Sequence, residues 1–402
     1  MVSEGLSLSP SATFRNDTFD VLDDQPEPDT SSSRVAVILS AAHVLLPDRI
    51  HSDVEIEVED GLIVAVRPAS KLPGCRFLAP GLIDLQVNGH DDIDVATMTE
   101  EDVPRMGRLL ASQGVTSWFP TLVTTTGDVY DERLEFFAEL AKQQDAAEPQ
   151  ICGVHLEGPY LGEWHGVHRG VREGPIDIDW IRTLPDIVRI MTLGPEHPNA
   201  VEAIQTLTAN GVVVALGHTG ATFEQTMLAI DAGARMLTHC FNAMAPLHHR
   251  HPGPVGACLT RDEVAVCMIA DGIHIHPAVA DIVWRVKPTD KVVLVTDATA
   301  WRKGKLGDES IAVIDGAPRL EDGTLAGSIL TLNRAVQNSV QSHGASRFGA
   351  MSAATRNPAQ LMGIAGRGII EVGARADLTA YDDDLNLLAT YVGGELIDGS
   401  IG

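Results

Sequence analysis

One feature constrains this chain more than any other. Between residues 79 and 365, eight short apolar runs alternate with longer amphipathic stretches. The runs are Leu82–Val87, Thr116–Phe119, Ile151–Leu156, Val188–Leu193, Val212–Leu216, Met236–Thr238, Val264–Ile269 and Val292–Thr296. Helical spacing is expected over Glu101–Gln113, Tyr130–Gln144, Asn199–Ala209, Thr222–Ala232 and Pro277–Val286. Strands that alternate with helices imply a parallel sheet, because each helix returns the chain to the end where the next strand begins. Eight such units over about 285 residues suit an α/β fold of the (β/α)8 TIM-barrel type. A doubly wound sheet is the second architecture that this alternation allows.

The flanks have another texture. Val35–Leu39, Val54–Val58 and Leu62–Val66 are short β-rich runs, the last two joined by a turn at Glu59-Asp60-Gly61. Gly368–Val372, Leu378–Tyr381 and Leu387–Val392 are similar. Neither end has enough strands to stand alone, so residues 34–78 and 366–402 are expected to form one small β domain into which the barrel, 79–365, is inserted. Residues 1–33 are polar, acidic and rich in Ser, Pro and Asp, and read as a disordered leader.

Charge narrows the partners. The chain has 29 Lys and Arg against 55 Asp and Glu, a net charge of −26. Nucleic acid and anionic membrane both require a basic surface, so neither is an expected partner. A small anionic ligand needs only a local basic pocket. The five cysteines, Cys75, Cys152, Cys240, Cys258 and Cys267, are odd in number and form no CxxC, which argues against a disulfide framework. With no secretory signal and no apolar stretch of membrane-spanning length, a cytoplasmic protein is expected.

Ionisable residues recur just after the apolar runs, which is where a barrel builds its active site. Glu157 ends the third run, His218 follows the fifth, His239 the sixth and Asp297 the eighth. Taken singly, each His reads as a core or surface residue. Together, two imidazoles and a carboxylate form a common catalytic metal set with a position left for water. Asp297 beside such a metal can take a proton from water and return it to a leaving group. His274, near Asp271 after the seventh run, is read as a substrate contact, with His276 as a bystander before Pro277. Two basic loops stand out against the acidic background: Trp164–Arg169, and His248-His249-Arg250-His251. Anion capture is best served there by Arg250, whose planar fork grips a phosphate at two points.

These residues sit in recognisable strings. Pro80-Gly81-Leu82-Ile83-Asp84 followed by Gln86-Val87-Asn88-Gly89 resembles the first strand of the amidohydrolase superfamily. His155-Leu156-Glu157-Gly158-Pro159-Tyr160, Gly217-His218-Thr219, His239-Cys240-Phe241-Asn242-Ala243-Met244, Ala270-Asp271-Gly272-Ile273-His274, Thr296-Asp297-Ala298 and Leu325-Ala326-Gly327-Ser328 resemble its N-acetylglucosamine-6-phosphate deacetylase branch. The resemblance runs from about residue 35 to 385. It implies a barrel with a small β-sandwich built from both ends, metal ligands at Glu157, His218 and His239, and an acid/base at Asp297. It implies substrate contacts at Val167, His168, Asn242, Ala243, Asp271, His274, Leu325, Ala326 and Gly327. It also implies a homodimer, in which Arg250 reaches the neighbouring subunit's site and, with His274, holds the phosphate of an amino-sugar substrate.

Many superfamily members carry His-x-His on the first strand for a second metal. Here Gln86-x-Asn88 stands in that place, a vestigial second position, because neutral amides are poor ligands for zinc-like ions. One divalent ion per subunit is expected, zinc first, with iron or cobalt accepting the same ligands. Two loops depart from the family pattern: His90-Asp91-Asp92-Ile93-Asp94-Val95 after the first strand, and Thr299-Ala300-Trp301-Arg302-Lys303-Gly304-Lys305 after the eighth. The implied reaction is hydrolysis of an N-acetyl group from a phosphorylated amino sugar. The rival readings are an amidohydrolase for another N-acyl amine or cyclic amide, and a scaffold that has lost its chemistry.

Overall fold

The eight apolar runs become the eight parallel strands of a barrel, the third run split into Gln150–Ile151 and Val154–Glu157, in a computed structural model that describes residues 37–70, 72–124, 127–306 and 309–401. The acidic leader, 1–33, lies outside the described residues. The barrel strands are Leu82–Val87, Val115–Val123, Val154–Glu157, Val188–Leu193, Val213–Leu216, Met236–Leu237, Ala265–Met268 and Val292–Leu294. Each pairs with the next in chain order. A doubly wound sheet reverses its order part-way, so this consecutive order excludes it. Helices cover the outside and side chains fill the inside, so nearly every strand residue is buried and apolar residues run on without alternation.

The eighth and first strands meet at a seam with few ladder bonds. Asp297 N donates to Gln86 O at 3.0 Å, and Asn88 N and Gly89 N both donate to Ala298 O, at 2.9 and 3.0 Å. One layer below, the Asp84 carboxylate accepts from Thr296 Oγ1 at 2.6 Å and from Thr296 N at 3.3 Å. A side chain thus supplies the cross-strand bonds that backbone supplies elsewhere.

The expected helices appear as Val103–Ala111, Gly127–Gln143, Ala200–Ala209, Phe223–Ala232 and Pro277–Val286. Thr222 caps the fourth through a reciprocal pair with Gln225, and Pro277 opens the fifth, where its missing N–H costs nothing. Leu332–Gln341, outside the expected set, also buries Leu332, Ala335, Val336 and Ser339 at helical spacing, whereas helices at Gly253–Thr260, Arg347–Ala353 and Arg356–Met362 carry no such periodic signal. The first is buried along almost its whole length, so no polar face marks it. The last two are too short to repeat a pattern.

The chain ends meet in one seven-stranded mixed sheet. Its order is Glu395–Gly399, Leu387–Val392, Leu378–Tyr381, Cys75–Pro80, Val37–Leu45, Ile50–Glu59 and Leu62–Pro68. Its aliphatic core, including Val44, Ile56, Leu78, Leu378 and Tyr391, is separate from the barrel core. Segment 368–372 is not a strand. Gly366, Gly368 and Gly373 flank it with φ of 67°, 70° and 90°, which turns the chain there. Gly81 links the sheet to the barrel, and a Cβ there would collide with the Thr116 side chain.

Candidate active site

Glu157 is the last residue of the third strand and is buried. His218 lies two residues beyond the fifth strand and His239 two beyond the sixth, with φ of 49° and 23°. This left-handed backbone turns both imidazoles in towards the barrel axis. His218 Nε2 and His239 Nε2 approach the same carboxylate oxygen, Glu157 Oε1, at 3.0 and 3.1 Å, and stand 3.0 Å from each other. Two ring nitrogens that close cannot both carry protons. Three donor atoms spaced this way fit a divalent ion, since tetrahedral ligands at about 2.0–2.2 Å lie roughly 3.3–3.6 Å apart.

His168 enlarges the group, and its donor atom lies within 4.8 Å of those of Glu157 and His218. Its Nε2 faces the other carboxylate oxygen at 3.8 Å, while Nδ1 meets Thr124 Oγ1 at 3.0 Å. The Oε1 trio is therefore the tighter set. Burial and the neighbouring His218 push the His168 imidazole down to about 3. Burial raises the Glu157 carboxyl, but the hydrogen bonds of His218 and His239 outweigh it and hold the group well below the usual range. His155, two residues earlier on the same strand, bonds Leu85 O and Thr192 Oγ1 and ties three strands together beneath the site.

Asp297, with φ 50°, completes the group from the eighth strand. Burial and the charge of Glu157 raise its carboxyl to about 7. Gln86 Nε2 donates to Asp297 Oδ1 at 3.1 Å and to Glu157 Oε1 at 2.9 Å, and Asn88 Nδ2 donates to Asp297 Oδ1 at 2.6 Å. Carboxylates only accept, so both amides turn their NH2 groups inward. At Gln86-x-Asn88, amide donors thus lie against the two carboxylates.

A cavity of about 230 Å³ opens over these groups. Among the residues expected to bind substrate, Val167, His168, Asn242, Ala243, His274, Leu325 and Gly327 line it, as does Asn88. Asp271 and Ala326 do not. Asp271 Oδ2 holds His274 Nδ1 at 2.7 Å, which leaves Nε2 for the cavity. Ala326 packs into a small apolar cluster with Leu306, Ile311 and Leu320, formed by a hairpin segment beyond the eighth strand. Arg250 is exposed in its loop and does not line the cavity, and Arg169 pairs with Glu309 at 2.9 Å. Among the described residues, no Lys or Arg lines this cavity. Val123, Ile269, Thr299, Leu306 and Thr324 also line it but were not singled out from sequence. Val123 and Ile269 end or follow strands, so strand-end position was the available signal; apolar residues there do not stand out.

Comparison with known proteins agrees with this geometry. Residues 77–397 match the amidohydrolase family. The human N-acetylglucosamine-6-phosphate deacetylase is 39% identical over 348 residues, 81% of this chain and 84% of that protein. An N-acetylgalactosamine-6-phosphate deacetylase from Escherichia coli O157:H7 is 33% identical over 374 residues, 89% of this chain and 98% of that protein. The crystal structure of the Thermotoga maritima N-acetylglucosamine-6-phosphate deacetylase superposes with a TM-score of 0.84 at 33% identity, covering 90% of this chain and 100% of that one. A mutant of the Mycobacterium smegmatis enzyme, in complex with N-acetyl-D-glucosamine-6-phosphate, does so with a TM-score of 0.84 at 31% identity, covering 90% and 99%. With the family match spanning most of its length, the chain belongs to the amidohydrolase family.

Proposed function

We propose that this chain is a metal-dependent hydrolase that removes the N-acetyl group of N-acetylglucosamine 6-phosphate, releasing acetate and glucosamine 6-phosphate in amino-sugar catabolism and cell-wall recycling. The observation that carries the reading is the convergence of His218 and His239 on Glu157 Oε1, with Asp297 beside them. In this reading Glu157, His218 and His239 hold one divalent ion, zinc before iron or cobalt. Such an ion, when bound, polarises a carbonyl and acidifies water.

The rest is the work of side chains. Asp297 takes a proton from the attacking water. Both amide donors bond its Oδ1, which leaves Oδ2 for that proton. The same carboxyl then gives the proton to the amine nitrogen as the C–N bond breaks. Its raised proton affinity suits it to both steps, since a group poised near neutrality can accept and release a proton. His274, held through Nδ1 by Asp271, presents Nε2 to the substrate. Asn242, Ala243, Val167, His168 and the Leu325–Gly327 segment shape the sugar's seat.

The phosphate needs a cation that the cavity's own lining does not supply. We assign that role to Arg250 of a second copy in a homodimer, an assignment supported by the exposure of the loop that carries it. A cytoplasmic setting belongs to the same reading and is supported by five unpaired cysteines. Among the described residues, no helix is long and apolar enough to cross a membrane.

One assay tests this reading: acetate release from N-acetylglucosamine 6-phosphate, its galactosamine epimer and the unphosphorylated sugar, with metal content measured on the same sample. The expected result is turnover of the glucosamine phosphate and about one ion per chain. Equal rates with and without the phosphate count against phosphate capture. A metal-free protein that cannot be reconstituted favours the scaffold reading.

A further inference from the structure

The loops that follow the first and eighth barrel strands lie against each other. After the first strand, Gly89–His90 pairs with Ile93–Asp94 in a tight hairpin, with Asp91 at its tip and φ 59°. After the eighth strand, Trp301–Lys303 forms one helical turn. Arg302 Nε meets Asp91 Oδ1 at 2.8 Å, and Arg302 N donates to Asp91 O at 2.7 Å. Lys303 Nζ meets Asp94 Oδ2 at 3.3 Å and Thr97 Oγ1 at 2.6 Å. Arg105 closes on Asp91 and Asp92 from the outer side. The acidic loop is therefore the electrostatic partner of the basic one.

Their backbones also touch. A Cβ on Gly89 would lie 2.5 Å from Ile93 O and 2.9 Å from Ala300 N, so no larger residue fits between the loops. This contact adjoins the seam, where the barrel has the fewest ladder bonds. Asn88 precedes Gly89 directly, and its Nδ2 reaches Asp297 Oδ1 across the seam at 2.6 Å. Arg302 and Lys303 do not line the cavity, so any effect they have on the reaction passes through other residues.

We infer that Asp91–Arg302 and Asp94–Lys303 form a latch across the seam, and that Arg302 and Lys303 are positioning residues that keep Asn88 on Asp297. The inference rests on the proposed role of Asp297. Arg302 and Lys303 are exposed while Asp91 and Asp94 are largely buried, so opening the latch is read first in local order and turnover and only second in melting. Loops opened locally exchange their amides faster while the rest of the molecule stays protected.

The test uses the full-length, metal-loaded protein with Arg302→Ala/Lys303→Ala. Hydrogen exchange should quicken about tenfold over 87–98 as well as over 297–305. The value of kcat should fall about tenfold with KM within about twofold, at unchanged metal content and with melting shifted by about 2 °C or less. Lys303→Arg alone should stay near the parent. Arg302→Ala added to Asp91→Asn should cost almost nothing beyond Asp91→Asn, because Asp91→Asn already removes the Arg302 contact together with that to Arg105. Unchanged exchange over 87–98, or losses that multiply in the Asp91/Arg302 pair, overturns the latch. Asp297→Asn serves as the control. If it keeps its turnover, the role of Asp297 fails, while the exchange data still decide whether the latch exists.

Discussion

The small sheet and the barrel rim both hold non-glycine residues in left-handed conformation, and the two sets differ in kind. In the sheet they include Asp53 and Asp60, exposed residues with φ of 52° and 49°, and the buried Leu385, φ 61°, in the turn between Leu378–Tyr381 and Leu387–Val392. Aspartate tolerates this region because its short side chain can bond locally. At the rim they include His218, His239 and Asp297, all buried and all facing one another. Such a backbone costs on the order of 1–3 kcal/mol per residue and persists only where the surroundings over-determine it. In the sheet the conformation makes the turn at Asp60 and at Leu385, and at Asp53 it sits within the strand Ile50–Glu59. At the rim it aims two imidazoles and a carboxylate at one another, and the buried strand ladder beneath holds them in place.

The sharpest break in that comparison comes from the rim. His239→Ala removes one of the two imidazole nitrogens on Glu157 Oε1 and should cost the bound ion and about 10³-fold or more in turnover, read by metal analysis and acetate release. Asn88→Ala should act on the acid side of the pH profile. Asp297 must be unprotonated to accept the water's proton, and the Asn88 donor favours that charged form. Without it the carboxyl holds its proton to higher pH. The acid limb of kcat should move up by about one unit, with kcat itself down about tenfold.

A smaller effect is expected one layer down. Burial raises the Asp84 carboxyl from 3.8 to about 6 despite its bonds to Thr296. Between those values the folded protein binds more protons than the unfolded chain. Asp84 therefore weakens the fold as pH rises through about 6, by up to about 3 kcal/mol. Asp84→Asn should flatten the slope of unfolding free energy between pH 4 and 6.5 in a denaturant series, relative to the parent. The smallest effect belongs to the sheet. Asp60→Gly relieves a left-handed turn residue and should change stability by less than about 1 kcal/mol, with turnover unchanged. A loss of activity there would erase the distinction between the two regions.

The barrel was legible because all eight apolar runs are buried strands, and burial on both faces leaves an unbroken apolar signature. The convergence of Glu157, His218 and His239 was legible because ionisable residues recur at buried strand ends, which a barrel brings to one rim. What stayed hidden lacks a chemical label. The helix Gly253–Thr260 has no polar face, and the strand Cys75–Pro80 is separated from the first barrel strand only by Gly81. Asp271 and His274 both stood out, but only the structure separates the residue that faces the cavity from the one that holds it. The closeness of Asp91 to Arg302 spans over two hundred residues of chain, and no local pattern carries it.

In the proposed reaction Asp297 moves the proton while Glu157, His218 and His239 hold the ion, a division that one substitution separates. It is tested most directly by Asp297→Asn, with acetate release and metal content measured on the same preparation. The account predicts parent-like metal content and turnover reduced about 10³-fold or more. Near-parent turnover with the ion in place would contradict it.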